Sequence, residues 1–265
     1  MTLSNENKPF TQNDIDEKGS KLRCLLLTGL GKNNFRNILT KLINQKNPNS
    51  INFQIPDEFE YYPKGLLDRK EIQLDKKEIH INGYLGCDKI LNKWWLKTPQ
   101  ATTPNWDILC TANIDGKPGF ILVEAKAHYD ELKENDSTDA GSNSPNLKKI
   151  MQAMEEINDA YGYSLSWEHN YQMSNRVAWS LKLASEGFPV ILIYLGFLNA
   201  KEIDTTNNSY IFNKPKQWRK IVQEHSQAIS FSDWEKQISA KKNSSVQTNF
   251  YPIIRSMDIQ LTIEY

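Results

Sequence analysis

The stretch from Asp107 to Lys126 constrains the fold of this chain more than any other stretch. Apolar residues at 108–110 and 120–123 predict two strands. Between them, residues 113–119 contain Asp-Gly and Pro-Gly pairs, which are typical of a tight turn. The second strand is apolar on both of its faces, as strands inside a sheet are. The sequence therefore predicts a buried hairpin near the middle of the chain.

Charged side chains end the apolar pattern of the second strand. Glu124 and Lys126 are two residues apart, so they project from the same face of that strand. Buried charges are costly unless they are paired with each other or bind something else. Asp107 stands at the start of the first strand. If the two strands pair across the turn, its carboxylate comes close to Glu124.

Two carboxylates that converge at the end of a sheet suit a hard divalent cation such as Mg²⁺ or Mn²⁺. The backbone carbonyl of Ala125 is a candidate third ligand, and Lys126 is placed to orient a water molecule and help to deprotonate it. We therefore expect Asp107, Glu124 and Lys126 to be catalytic and the oxygens of Asp107, Glu124 and Ala125 to bind the metal. The alternative interpretation of a Glu-x-Lys triplet is an ion pair on a solvated strand.

Two further residues follow the triplet closely. His128 continues the same-face alternation, which makes it a candidate contact for a phosphate or a metal-bound water, although a single histidine of this kind is often structural. Glu131 is a candidate acid that would hold the metal ligands in place without binding the metal itself. Residues 133–145 are polar and rich in Gly, Ser, Asn and Asp, which predicts a loop beside the site.

Two amphipathic helices and a second buried strand come next. Residues 146–161 carry an apolar stripe with Asn146 as a candidate N-cap, and residues 171–186 form a helix that Gly187 ends. The apolar strand at 188–197 then predicts a crossover back into the same sheet. Three side chains share one side of the second helix and are candidate phosphate contacts: Gln172, Asn175 and Arg176. A surface salt bridge is the alternative role for Arg176.

The rest of the chain gives weaker signals. Residues 1–20 predict a flexible lead-in, and residues 21–265 predict one domain with its core at about 80–200. Residues 21–44 favour helix in their second half, and in their first half they fit either a helix or a strand. We also expect a helix at 83–96, short helices at 215–225 and 232–239, and a terminal strand at 258–265.

Composition limits the classes of function. The chain has 265 residues and a net charge of +0, so any affinity for nucleic acid must come from a local basic patch. Its three cysteines are far apart in sequence, which favours a reducing cytoplasm over a disulfide framework or a zinc site. No signal peptide or apolar run of membrane-spanning length is present. The sequence also lacks Gly-x-Ser-x-Gly and His-Glu-x-x-His, the motifs of other hydrolase classes.

Four stretches taken together resemble a family of uncharacterised bacterial proteins in the PD-(D/E)XK nuclease superfamily. They are Thr-Pro-Asn-Trp-Asp at 103–107, Leu-Val-Glu-Ala-Lys-Ala-His at 122–128, Tyr-Gln-Met-Ser-Asn-Arg at 171–176 and Pro-Val-Ile-Leu-Ile-Tyr-Leu-Gly-Phe-Leu-Asn-Ala at 189–200. Trp106 replaces the Pro of the superfamily name. The resemblance covers residues from about 80 to the C-terminus.

The resemblance implies an α/β fold with a restriction-endonuclease-like core, in which helices flank a mixed central sheet. Here that core would carry an N-terminal extension that is mostly helical or irregular. It also places Asp107, Glu124 and Lys126 at the site, but it supplies no substrate. The leading hypothesis is a Mg²⁺-dependent (or Mn²⁺-dependent) hydrolase of nucleic acid, with DNA favoured. The alternative is a protein with the nuclease fold that binds a partner without turnover, which the net charge of +0 favours.

Overall fold

Strands and helices are interspersed along the chain in a computed structural model that describes residues 4–5, 8–9, 17–45, 51–74, 93–96, 103–133, 144–203, 210–240 and 248–259. The strands are β1 Ser4–Asn5, β2 Lys8–Pro9, β3 Phe53–Gln54, β4 Tyr61–Tyr62, β5 Ile72–Gln73, β6 Asn105–Trp106, β7 Ile108–Ile114, β8 Lys117–Lys126, β9 Val190–Leu198, β10 Ile238–Ser239 and β11 Asn249–Asp258. The helices are α1 Gly19–Thr28, α2 Lys32–Asn44, α3 Asp130–Lys133, α4 Pro145–Tyr161, α5 Tyr171–Ser185 and α6 Pro215–Gln227.

β7 and β8 form the hairpin that the sequence predicts. Ile108 lies opposite Val123 at the open end, and Ile114 lies opposite Lys117 beside the turn. Asp115 and the following glycine make the turn, with positive φ angles of 52° and 72°. Two left-handed residues in succession suit a two-residue turn, because their backbone twist matches that of the strands. The turn therefore sets the register that brings the two strand ends together.

β8 lies inside a mixed sheet to which seven strands of the described residues contribute. The order is β10-β11-β9-β8-β7-β3, and β4 also pairs with β7. β7 is antiparallel to β8, whereas β9 is parallel to both β8 and β11. The predicted crossover is confirmed, because α5 separates β8 from its parallel neighbour β9 in the chain.

Helices cover both faces of this sheet. Phe120 and Leu122 of β8 share an apolar cluster with side chains of α4, α5 and α6, whereas Ile121 and Val123 share another with side chains of α1 and α2. α1 and α2, expected as part of an extension, thus form a layer against the sheet. The predicted α/β class with a mixed sheet flanked by helices is confirmed. Within the described ranges, no helix combines the length and apolarity needed to cross a membrane.

The two long helices end close to their predicted bounds, but one predicted cap is wrong. The N-cap of α4 is Ser144, whose hydroxyl accepts the N–H of Asn146 at 3.2 Å. The intervening Pro145 has no N–H and a fixed φ, which suits the first helical position, so the cap lies before it. α5 ends at Ser185, and Gly187 follows with a φ of 100°, as expected for the residue that terminates a helix.

One helix predicted near the C-terminus is wrong, and one strand there is not predicted by the sequence. Residues 232–239 form a turn followed by β10, because the turn packs Trp234 into the core and Tyr163 donates a hydrogen bond to Asp233 at 2.7 Å. The unpredicted strand is β11, which lies upstream of the predicted 258–265. Pro252 stands in the middle of β11, and a proline there argues against a central strand when only the sequence is considered.

Some predicted segments fall partly or wholly outside the described residues. Of the helix predicted at 83–96, only 93–96 are described, and 93–95 are helical. Most of the lead-in at 1–20, the central part of the loop at 133–145 and residues 260–265 of the predicted last strand also lie outside the described residues.

Candidate functional site

Asp107 occupies the bend between β6 and β7, directly before Ile108. Since Ile108 faces Val123, the next pair in the same register is Asp107 and Glu124. The Oδ2 atom of Asp107 accepts the N–H of Ala125 at 2.7 Å. This bond holds the carboxyl group of Asp107 over the end of β8.

Glu124 is completely buried and holds two cations. Its Oε1 atom accepts a hydrogen bond from Lys126 Nζ at 2.6 Å, and its Oε2 atom accepts one from Arg176 Nε at 2.6 Å. Glu124 is 0% exposed, and Lys126 and Arg176 are each 5% exposed. The interpretation of Glu124 and Lys126 as a solvated ion pair is therefore wrong, because both residues lie in the interior.

Arg176 reaches this cluster from α5 and is held on every side. Its two terminal nitrogens donate to the side chain of Asn175 at 2.7 Å and to the carbonyl of Asn105 at 2.8 Å. The guanidinium also lies 4.8 Å from the ring centre of Trp106. A surface salt bridge is therefore the wrong role for Arg176. Gln172 lies one turn earlier on the same side of α5, and the described residues show no hydrogen bond from it to the cluster.

The charges of the cluster shift the pKa values of its members in opposite directions. Burial raises the pKa of Asp107 to about 7, and the nearby charge of Glu124 adds to the increase. Burial also opposes ionisation of Glu124, but Arg176 and Lys126 more than offset it and lower its pKa. Burial would lower the pKa values of Lys126 and Arg176, but the Glu124 carboxylate raises both. The ion triad of Glu124, Lys126 and Arg176 is thus charged at neutral pH, while Asp107 titrates there.

Glu71 is a further acid at the site that the sequence analysis missed. β5 pairs with β6 so that Ile72 faces Trp106, and continuing this register places Glu71 opposite Asp107. Burial raises the pKa of Glu71, Lys21 opposes the increase, and the charge of Glu124 adds to it. The only sequence signal is an acid before a strand of two residues, which is too short for a periodic pattern.

His128 and Glu131 lie beside the start of α1. Glu131 accepts the N–H groups of Ala127 and Ser20, and the latter bond is 3.2 Å long. Glu131 therefore ties the end of β8 to the first turn of α1. His128 Nε2 is 3.5 Å from Glu131 Oε1, and both residues line a pocket of about 310 Å³. In the described part of the chain, no hydrogen bond joins His128 to Asp107, Glu124 or Lys126.

The donor types at this site fit a hard divalent cation, although Glu124 is engaged. Asp107 and Glu124 offer carboxylate oxygens, and Oδ1 of Asp107 accepts no hydrogen bond within the described residues. Each oxygen of Glu124 already accepts a hydrogen bond from a cationic group, so a metal would have to share these oxygens with Lys126 and Arg176. Among the described residues, no group of three or more His, Cys, Asp or Glu side chains is arranged to hold a metal ion.

The site therefore combines a buried ion triad with a half-buried aspartate whose pKa lies near neutrality. Such a perturbed carboxyl group beside a surface is typical of functional sites, but charged networks that only stabilise a fold can produce the same shift. Comparisons with protein-family models, with curated proteins and with solved structures gave no significant match to this chain.

Proposed function

We propose that the protein is a metal-dependent phosphodiesterase that hydrolyses nucleic acid, with DNA as the favoured substrate and Mg²⁺ or Mn²⁺ as the cofactor. The single observation that carries this proposal is the position of Asp107. Its carboxyl group has a pKa of about 7, has one oxygen without a hydrogen bond among the described residues and lies next to a second carboxylate. A divalent cation would remove the repulsion that makes this pair of acids costly.

The proposed catalytic and metal-binding residues have separate roles. Asp107 and Glu124 would hold the metal, with the carbonyl of Ala125 as a third oxygen. A bound metal would lower the pKa of a water molecule and neutralise charge on the phosphate. Lys126 would orient the attacking water. The hydrogen bond of 2.6 Å from Lys126 Nζ to Glu124 keeps the ammonium group close to a carboxylate that would bind the metal.

Arg176 and Asn175 are better suited to positioning than to direct contact with phosphate. All three guanidinium nitrogens of Arg176 already donate hydrogen bonds, and Asn175 receives one of these bonds. We therefore assign Arg176 the task of holding Glu124 in place and Asn175 that of holding Arg176. Gln172 and His128 remain the proposed phosphate contacts, and Glu131 supports the end of β8.

The sheet supports a restriction-endonuclease-like core. An antiparallel hairpin leads through helices to a strand parallel to β8, and the three proposed catalytic residues lie at one end of that hairpin. This arrangement is the mixed sheet flanked by helices that the resemblance implies. It supports the fold proposal independently of the site chemistry.

The test is a calorimetric titration of Mg²⁺ and Mn²⁺ into the wild type and Asp107→Asn at pH 8, followed by cleavage of labelled DNA and RNA. Asp115→Asn is the matched control, since Asp115 lies at the other end of the same hairpin and accepts hydrogen bonds from Tyr251 and Asn249. We expect binding and cleavage in the wild type and in Asp115→Asn, and neither in Asp107→Asn. Equal binding by all three proteins would refute the assigned metal site.

The complete pairing of Glu124 favours a second candidate, a nuclease-fold protein that binds nucleic acid without cleaving it. The triad neutralises its own carboxylate without a metal. Salt-dependent binding of DNA by the wild type, with no heat of metal binding and no cleavage, would select this candidate.

A further inference from the structure

Two exposed tyrosines stand on adjacent backbone segments, one of them shortly after the end of β8. Tyr129 is 37% exposed and Tyr210 is 56% exposed, and they are two of the four large apolar residues that are exposed within the described residues. The N–H of Tyr129 donates to the carbonyl of Tyr210 at 2.9 Å, and the preceding His128 forms an antiparallel bridge with Ile211. Tyr129 and Tyr210 are therefore directly opposite each other, which places both side chains on one face.

The backbone beneath these tyrosines is anchored in the core. Leu132 and Phe212 are buried on either side of the pair. The rings therefore project from a fixed backbone, and tyrosine loses little side-chain entropy when it binds because it has only two side-chain torsions. Aromatic rings presented in this way are suited to stacking against a planar ligand.

One cationic side chain lies against the pair, and two more follow it closely in the chain. Lys133 Nζ lies 4.7 Å from the ring centre of Tyr129, and Lys214 and Lys216 are exposed just after Tyr210. The sequence contains no acidic residue between positions 210 and 223. On the other side of the pair, Asp130 is 3.9 Å from His128 Nδ1, and Glu131 is used by backbone N–H groups. The surface thus offers stacking rings beside a net positive charge, which is the combination that holds unpaired nucleotides.

We propose that Tyr129 and Tyr210, together with Lys133, Lys214 and Lys216, bind single-stranded nucleic acid by stacking its bases and contacting its phosphates. Bases in a duplex are already stacked on both faces, so only unpaired bases can stack on the tyrosine rings. Tyr129 is three residues beyond Lys126, or about 10 Å along an extended chain, so the strand would be held next to the proposed catalytic site. The inference rests on the proposed function for its biological meaning, but binding on this surface needs no metal.

The test measures fluorescence anisotropy of a labelled oligo(dT) and of a labelled duplex, in EDTA and at low salt. The proteins are the wild type, Tyr129→Ala/Tyr210→Ala, Tyr129→Phe/Tyr210→Phe, and Met151→Ala as a control for an exposed residue on another surface. We expect the alanine pair to weaken binding of oligo(dT) by about tenfold or more, and the other variants to bind like the wild type. Duplex binding should change little in any variant.

Lys214→Gln/Lys216→Gln separates the charge contribution from the stacking contribution. If both lysines contact phosphates, the slope of log affinity against log salt should fall in magnitude by about 1.4 for a single strand. The alanine pair should leave that slope unchanged.

Two results would overturn the inference: no binding of oligo(dT) by the wild type, or equal affinity in the wild type and the alanine pair. Equal affinity combined with a change in oligomeric state of the alanine pair would assign the surface to a protein partner. Binding that depends on the tyrosines, combined with no cleavage in any metal, would instead overturn the proposed function and leave this inference standing.

Discussion

Two glutamates of this protein, the buried Glu124 and the partly buried Glu235, are each held by two cationic side chains, and only one of these clusters has the features of a functional site. Glu124 binds Lys126 and Arg176 at the end of β8. Glu235 binds Arg255 through both of its oxygens, at 2.8 and 2.9 Å, and lies 3.0 Å from Arg219.

The Glu235 cluster differs from the Glu124 cluster in what its arginine does besides binding the glutamate. Arg255 also donates to the carbonyls of Leu42 and Ile43 at the end of α2, at 2.9 and 3.1 Å. It therefore satisfies the last turn of that helix and fastens it to β11. The charge and the hydrogen bonds of Arg255 have a complete structural explanation.

The cluster around Glu124 contains more carboxyl groups than are needed to pair with its two cationic side chains. Asp107 and Glu71 both lie near the completed triad, and burial raises the pKa of each. Burying an ion pair therefore does not by itself mark a functional site in this molecule. What distinguishes the Glu124 cluster is additional carboxyl groups that are costly to ionise and that lie at the edge of the interior.

The largest expected effect comes from removing the charge of each central glutamate. Glu124→Gln leaves Lys126 and Arg176 buried without their counter-ion, and we expect a loss of about 3–5 kcal/mol in the free energy of unfolding. Glu235→Gln should cost less, since Arg255 keeps its carbonyl partners and Arg219 is 35% exposed. Urea unfolding of both variants measures the difference. An equal or larger loss in Glu235→Gln would contradict the comparison.

The second effect is the pH dependence of metal binding. Asp107 must lose its proton before it binds a cation, and its pKa is about 7. We therefore expect the affinity for Mn²⁺ to rise about tenfold per pH unit well below 7, by about fiftyfold from pH 5 to pH 7, and to level off above pH 8. Calorimetry over this range measures the profile. An affinity that is constant from pH 5 to pH 8 would show that Asp107 is not a ligand.

The third prediction concerns the stability of Asp107→Asn. The pKa of Asp107 rises from 3.8 to about 7 on folding, so the folded protein binds more protons than the unfolded chain between these values. The stability contributed by the protonated carboxyl is present below pH 3.8 and is lost as the pH rises through 7. At pH 8, Asp107→Asn should therefore gain on the order of 1–2 kcal/mol, since partial exposure screens the full effect.

At pH 4 the same substitution should change the stability little, because Asp107 is protonated in the folded protein. Urea unfolding of Asp107→Asn and the wild type at both pH values gives the comparison. A loss of stability at pH 8 would mean that ionised Asp107 stabilises the fold. It would contradict the conclusion that this carboxyl group is costly to ionise in the folded protein.

The smallest expected effect is that of Glu71→Gln. Glu71 adds negative charge near Glu124 without a hydrogen bond to it in the described residues, so its removal should weaken Mn²⁺ binding by about two- to fivefold. The free energy of unfolding should change by no more than about 0.5 kcal/mol. Glu60→Gln is a suitable control, because Glu60 forms an exposed ion pair with Lys64 elsewhere on the surface. Equal metal affinity in the two variants would remove Glu71 from the site.

The sequence determined the parts of the site that depend on local geometry. The period of two in a strand places Glu124 and Lys126 on one face, and the Asp-Gly turn sets the register that brings Asp107 to the end of β8. The helical spacing of α5 likewise places Arg176 on the same side as Gln172 and Asn175. These relations follow from backbone dihedral angles over a few residues, so they can be derived without knowing the rest of the fold.

Only the tertiary structure decided which partners those side chains meet. Arg176 is 52 residues from Glu124, and the packing of α5 over the sheet turns it into the counter-ion of a buried carboxylate. Glu71 comes to the site through a pairing between two short strands, and β11 forms despite its proline because β9 pairs with it from residue 250 to 258, while β10 pairs only with residues 249 and 250. In each case the contact joins segments far apart in the chain, and its stability depends on burial and pairing that no local pattern encodes.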